Sequence, residues 1–352
     1  MLFRSAARAI GIGADRVTIH VPFAGGAFGR NLEIEIVAQV ATLASKIERP
    51  VQLQWSRAED MFQDMMRPPA HAQMIAKMLP GGRIEGWQAR IAGADGVSQM
   101  RARVNDGRSA RAALAEADSA IAVSGAIPPY AIPAVVIDHY PVETGIPAGV
   151  WPGAADSATA FFTESFIDEL SKASGIEALS FRIALLGGNP RLAACLAKVA
   201  IRGGWEGGGA GTGQGLAAHM MRGSHIAVLA EAQIGDDQRV RVTRLTCVAD
   251  VGRVINPDLA RQRIEGDLLF GMSQATGRPV IFKNGLPTPL RLGSLGLPLL
   301  RDMPEISVQL VDSREASGGV NEVAVPPVAP AIANALFAAT GRRFRTLPLV
   351  AL

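Results

Sequence analysis

The sequence predicts a mixed α/β fold, of the α+β kind, in about two domains. Three observations carry this. The chain has 352 residues, which is the length of about two domains. Short alternations of strand period are interspersed with longer runs of helical period along it. A proline-rich stretch interrupts both patterns before its middle.

Residues 16–21 alternate, with Val17, Ile19 and Val21 on one face, and are expected to form a strand. Gly25-Gly26-Ala27-Phe28-Gly29 follows as a glycine-punctuated turn. Residues 33–47 place Ile34, Ile36, Val37, Val40, Leu43 and Ala44 at helical spacing and predict a buried helix. Residues 51–55 alternate as a second strand, so the unit reads strand, glycine loop, helix, strand. Pro80-Gly81-Gly82 turns the chain into a strand over 83–94, and the Arg- and Ala-rich residues 97–120 suit a surface helix or loop. Five prolines between 128 and 147 exclude a regular helix there and leave extended pieces such as 134–137. The boundary falls at this stretch, giving domains 1–147 and 148–352.

Beyond it, Phe161, Phe162, Ser165, Phe166, Leu170 and Ala173 share a helical face that Gly175 ends. Asn189 caps a helix that opens on Pro190 and runs to Gly203. Residues 203–215 hold eight glycines in thirteen positions and read as a flexible connector. Strands are expected over 225–234 and 240–250, then a helix over 258–274. Asn284-Gly285 marks a hairpin turn. A strand over 305–311 and an Ala-rich helix over 330–340, stopped by Gly341, complete the chain.

Composition narrows the function. Lys and Arg number 35 against 32 Asp and Glu, a net charge of +3, which excludes a chain-wide attraction for nucleic acid. A charged fraction of 19% beside 48% hydrophobic residues excludes bulk disorder. Cys195 and Cys247 are too few for a disulfide framework, a zinc site or an iron–sulfur cluster. His20, His71, His139, His219 and His225 share no metal-ligand spacing; His20 and His225 are expected as core or edge residues of strands. Arg342, Arg343 and Arg345 are expected to be solvated. No apolar run reaches the ~18–20 residues of a membrane span. The N-terminal residues form an amphipathic segment and not a signal-peptide core, and read as an interior stretch of a longer fold.

Four segments could carry chemistry: 25–29, 317–327, Gly223-Ser224 and 144–151. Glycines in the 25–29 loop let backbone N–H groups approach an anion, although the dinucleotide spacing G-x-G-x-x-G is absent. Glu322 is a single carboxylate among glycines and apolar residues in the run Gly318-Gly319-Val320-Asn321-Glu322-Val323. Burial there would raise its proton affinity toward the range of a general base, whereas a plain solvated loop glutamate is the structural alternative. Gly223-Ser224, which leads into an apolar strand, suits either a phosphate contact or an ordinary strand-start turn. Trp151 reads as a core anchor, and no G-x-S-x-G elbow marks a nucleophile.

In order, the runs at 17–30, 162–170, 250–257, 264–266, 318–322 and 326–335 resemble one family. It is the molybdenum-binding subunit of the xanthine dehydrogenase/aldehyde oxidase enzymes, and within it the isoquinoline 1-oxidoreductase-type β subunit. The resemblance covers nearly the whole chain and corresponds to the C-terminal half of that subunit. It implies two elongated molybdopterin-binding-type domains with mixed sheets and packed helices, and an oxidoreductase that hydroxylates an N-heterocycle or aldehyde with water as oxygen source. It implies a molybdenum–molybdopterin cytosine dinucleotide whose metal is held by the pterin and not by side chains. It further implies a partner chain supplying the N-terminal half, an iron–sulfur subunit carrying the clusters, and a small-molecule substrate. By the same resemblance Glu322 is the catalytic base, and Gly25, Gly26, Ala27, Phe28, Gly29, Gly223, Ser224, Arg263 and Asn321 face the cofactor. The chain departs from the pattern at four positions: Ala27 and Asn321 replace glycines, Arg263 a glutamine, and Pro152 an arginine. The departures leave a catalytically silent relative or a non-redox small-molecule binder as alternatives.

Overall fold

The computed structural model describes residues 2–23, 25–105, 119–288 and 291–350. Helix α1 (Leu2–Ile10) packs on α2 (Glu35–Ile47), and α3 (Arg57–Gln63) follows, capped by the Ser56 hydroxyl. Strands β1 (Ala70–Met78), β2 (Ile84–Gly93) and β3 (Ala134–Pro141) form a three-stranded sheet. The first pair is antiparallel and β3 runs parallel to β2. Helices α4 (Gly96–Asn105) and α5 (Ser119–Ala122) lie between β2 and β3. The surface element expected over 97–120 falls partly outside the described residues.

Helices α6 (Asp156–Ser174), α7 (Ala178–Leu185) and α8 (Pro190–Gly203) follow. Gly175 closes α6 at φ 70°, and the Asn189 side chain caps α8 through Leu192 N. The second sheet has the order β4 (Gln214–Met221), β5 (Ser224–Ile234), β6 (Val240–Asp250), β9 (Glu305–Leu310), with β6 and β9 parallel. Between β6 and β9 lie α9 (Pro257–Thr276) and the hairpin β7 (Ile281–Lys283)–β8 (Leu286–Thr288). Helix α10 (Val328–Thr340) ends the fold.

Strand β5 shows why this sheet is central. Its residues are buried almost without a break, as expected of a strand covered on both faces. Ile226, Val228 and Ala230 pack with Ala331, Ile332 and Leu336 of α10. Ala227 and Leu229 point the other way, toward Leu192, Leu196 and Val199 of α8. The same second core takes in Trp87 of β2 and Ile167 of α6, so it joins the two sheets. A buried ionic network reinforces the joint. Arg182, 0% exposed, donates to Glu164 at 2.9 Å, and Glu164 also accepts from the Tyr130 hydroxyl at 2.6 Å and from Ala218 N at 3.1 Å.

Several expectations fail for identifiable reasons. Residues 16–21 and 51–55 form no strand. Val17 is extended (φ −112°, ψ 122°), but among the described residues no strand pairs with the segment, and Ile19 and Val21 are exposed. Helix α2 forms yet buries none of its residues: among the described elements α1 is its main cover, and Ile36, Leu43 and Ile47 face outward. His20 is exposed and lies on no strand. The glycine-rich connector is tied down: Gly211 N donates to Ala338 O at 2.8 Å, Glu206 N to Gln214 Oε1 at 2.8 Å, and Gln214 already starts β4. Arg343 is not solvated; its side chain is 7% exposed and donates to Asp168 at 2.6 Å and to Asn334 at 2.8 Å.

Candidate functional site

The loop after β9 is held against the turn between β4 and β5. Gly318 N donates to Val251 O at 3.0 Å, and the Ser224 hydroxyl donates to Gly319 O at 2.7 Å. A Cβ on Gly318 would stand 2.6 Å from both Gly223 C and Ser224 Oγ, so only glycine allows this approach. Arg222, in the same turn, donates to Asn321 O at 3.2 Å and reaches Glu322 Oε2 at 3.6 Å. Gly153 N donates to the same Oε2 at 3.4 Å. The Glu322 side chain is 19% exposed and engaged by these two donors. Glu322 itself sits at φ 65°, a left-handed backbone that a side chain disfavours, whereas Asn321 is not among the positive-φ residues. Asn321 thus stands where the chain does not need glycine.

Helix α9 carries the next layer. Arg263 Nε lies 3.2 Å from Asp267 Oδ1, one turn along the helix. Asp267 accepts from Ala324 N at 3.4 Å and from the backbone of Glu322, which ties α9 to the loop. Burial pushes the Asp267 carboxyl up to about 7, against the pull of Arg263 and of the backbone donors. This carboxylate, and not the one singled out from the sequence, is the buried acid of the site.

The early loop reaches the same ground from the other side. Gly29 has φ 89°, and a Cβ there would overlap the Val150 carbonyl, so the loop rests directly on that backbone. Phe28, at φ 49° and 59% exposed, stacks on Phe270 of α9 at 5.5 Å and 6°. Trp151 tilts against the same ring at 6.3 Å and donates to Met65 O at 3.0 Å. Phe270 lies three residues after Asp267, on the same side of α9. Two elements therefore bring the loops together. One is the 150–153 crossing, which touches Gly29 at one end and Glu322 at the other. The second is the helix face of Asp267 and Phe270.

Of the residues expected at a site, Gly223, Ser224, Asn321 and Glu322 share one knot of contacts. Arg263 joins them through Asp267, and Phe28 and Gly29 through the crossing and α9. Gly26 packs under the Phe28 ring and Ala27 O accepts from Arg30 N at 2.9 Å. Gly25 is exposed, and beyond its chain neighbours no described residue comes within 4 Å of a Cβ position there. Arg222, Gly153, Asp267 and Phe270 carry no motif that marks them; only the Arg263–Asp267 spacing offers a signal. Cys195 and Cys247 lie in the core, and burial pushes the Cys195 thiol up to about 12. Among the described residues no group of three or more His, Cys, Asp or Glu could hold a metal ion.

Residues 2–185 match a family model described as a molybdopterin cofactor-binding domain. The chain belongs to that family. Residues 207–304 match a second model of the same description. This molybdopterin-binding chain is 27% identical over 350 residues to the β subunit of isoquinoline 1-oxidoreductase from Brevundimonas diminuta, covering 98% of the chain and 44% of the relative. It is 27% identical over 352 residues to a nicotinate dehydrogenase subunit of Pseudomonas putida, covering 93% and 29%. The chain thus spans less than half the length of these relatives. Quinoline 2-oxidoreductase from Pseudomonas putida 86 superposes with a TM-score of 0.80 at 12% identity, over 99% of this chain and 69% of that one. Aldehyde oxidoreductase from Desulfovibrio gigas does so with 0.76 at 13%, over 98% and 55%. At such identities the likeness establishes the fold, the mixed α/β architecture expected from the sequence.

The site residues fit a bulky anionic cofactor. Gly266 lies mid-helix in α9, exposed, with no protein atom within 4 Å of a Cβ position. Mid-helix glycine costs roughly 0.5–1 kcal/mol relative to alanine, and no contact among the described residues requires it here. Gly25 is equally open. Arg222 beside Glu322 and Arg263 on α9 add positive charge, so the residues present offer the bare backbone and cations that a pterin and its phosphates require.

Proposed function

We propose that the chain is the cofactor-holding part of the molybdenum subunit of an oxidoreductase that hydroxylates an N-heterocycle or aldehyde with water as oxygen source. The observation that carries this is the convergence of Glu322 and the 25–29 loop on the 150–153 crossing and on α9. Gly25, Gly26, Ala27, Phe28 and Gly29 would face the cofactor from one side, and Gly223, Ser224, Arg263 and Asn321 from the other. In the cytosine dinucleotide form, the cofactor supplies the two-electron oxidant and the oxygen-transferring metal when bound. Glu322 is the base: its carboxylate accepts a proton while Gly153 N and Arg222 hold Oε2 in place. Asp267 positions Glu322 through its backbone.

The electrons would leave through iron–sulfur clusters on a partner chain. The N-terminal half of the relatives' length would come from a second chain. Ile19, Val21, Phe23, Leu32, Ile36, Leu43 and Ile47 are all exposed within the first fifty residues, an apolar surface suited to such docking. Among the described residues no helix is long and apolar enough to cross a membrane. The test is expression of the chain with its gene neighbours, followed by molybdenum and pterin analysis. Glu322→Gln should keep the bound molybdenum and lose turnover by about a hundredfold or more, the usual scale of a general base. A purified complex without molybdenum, or a Glu322→Gln enzyme as fast as the parent, would defeat the proposal.

A further inference from the structure

Beside the 150–153 crossing lies a cavity of about 50 Å³. Its wall is mostly apolar, with Ile91, Val97, Trp151, Ala155 and Phe162, and among the described residues its one cation is Arg67. Among the described residues no carboxylate pairs with Arg67; its guanidinium donates only to Gln274 Oε1, at 3.3 Å. Burial lowers the Arg67 pKa to about 10, so it stays charged at neutral pH inside an apolar wall. Gln274 Nε2, at the same contact, is buried with no acceptor. Arg67 Nε and Nη2 have no acceptor among the described residues, and charged donors set against an apolar wall are costly unless something accepts from them. Asp95 also lines the cavity but is occupied locally: Oδ1 accepts from Val97 N and Ser98 N, both at 3.0 Å, and Oδ2 from the Ser98 hydroxyl.

We propose that this cavity binds the carboxylate of a small organic acid, received by the Arg67 guanidinium, with an apolar body against Trp151 and Phe162. Size and chemistry select this class. At ~10–15 Å³ per water-sized group, the space holds about four heavy atoms, a carboxylate and the start of its carbon skeleton. The rest emerges through the open side. A neutral ligand would leave Arg67 Nε and Nη2 without a charged acceptor, whereas a planar carboxylate matches their fork. The inference deepens the hydroxylase reading by naming an acidic substrate, and rests on it for that role alone.

The test is calorimetric titration of the 352-residue chain with benzoate and, in parallel, with neutral benzamide. Benzoate should bind about tenfold or more tightly, the scale of hydrogen bonds to a charged group. Arg67→Met should erase the preference, while Arg67→Lys, which keeps the charge, should retain part of it. Equal affinity for the two probes overturns the proposal even if Arg67→Met fails to fold. So does a benzoate preference that survives Arg67→Met, or one that disappears when the partner chains assemble, since a partner's carboxylate would then own the guanidinium. The titration needs no metal. Benzoate binding with no molybdenum in any preparation leaves the acid site standing and removes the hydroxylase reading; turnover with equal probe affinities does the reverse.

Discussion

Replacing Asp267 with asparagine should change how stability depends on pH. Burial raises the Asp267 carboxyl from its ordinary 3.8 to about 7 in the folded chain. At about 1.36 kcal/mol per pH unit this corresponds to about 4 kcal/mol. The sign follows from proton counting. Between about pH 4 and about pH 7 the folded chain keeps a proton on Asp267 that the unfolded chain has released, so stability falls as pH rises through this window and levels off above it. Asparagine has the same shape and no titration. The stability of Asp267→Asn relative to the parent should therefore climb by up to about 4 kcal/mol across the window. Urea unfolding of both chains from about pH 5 to about pH 8 reads the difference, in which every other titrating group cancels. The competing effect is the Arg263 ion pair. If Coulomb attraction won, the folded carboxyl would ionise more readily and the parent would instead gain on the variant as pH rises. A flat or reversed difference would refute the claim that desolvation dominates; the Asp267 side chain is 3% exposed, which is why desolvation should win.

Two further substitutions test the frame around the site. Gly29→Ala adds a Cβ at φ 89° that overlaps the Val150 carbonyl, so the melting temperature should drop, with the left-handed backbone alone costing roughly 1–2 kcal/mol; an unchanged melting curve would mean the loop does not rest on the crossing. Arg182→Met leaves Glu164 buried and uncompensated, and should cost about 3–5 kcal/mol in denaturant unfolding, whereas a loss well below this would show that Glu164 finds water or another donor.

The second half of the chain is more legible in the sequence than the first, and the reason is local chemistry. Asn189 and Asn256 cap helices that open on proline, Gly175 and Gly341 end helices in the left-handed conformation, and the Asn284-Gly285 turn carries two positive φ angles. Each signal is satisfied within a few residues. Residues 16–21 carry an equally clear alternation, but a strand needs a neighbour, and none of the described residues supplies one. The same lack of cover makes α2 a real helix without a buried face. Arg343 reads as solvated in sequence because its partners, Asp168 and Asn334, come from other helices.

The site divides along the same line. Glu322 stands out because glycines precede it, and the 25–29 loop because glycines fill it. What fixes them relative to each other is distant in sequence: Gly153 and Arg222 on the Glu322 carboxylate, Asp267 on its backbone, Phe270 under Phe28. Neither loop could hold its place alone, since each rests on exposed or left-handed backbone. Helix α9 resolves this, because Asp267 and Phe270 sit one turn apart on a rigid element and each grips one loop. The buried acid is therefore best understood as a clamp. Its proton, held up to about pH 7, is the cost of anchoring the loop that presents Glu322 to the same helix face that stacks Phe28.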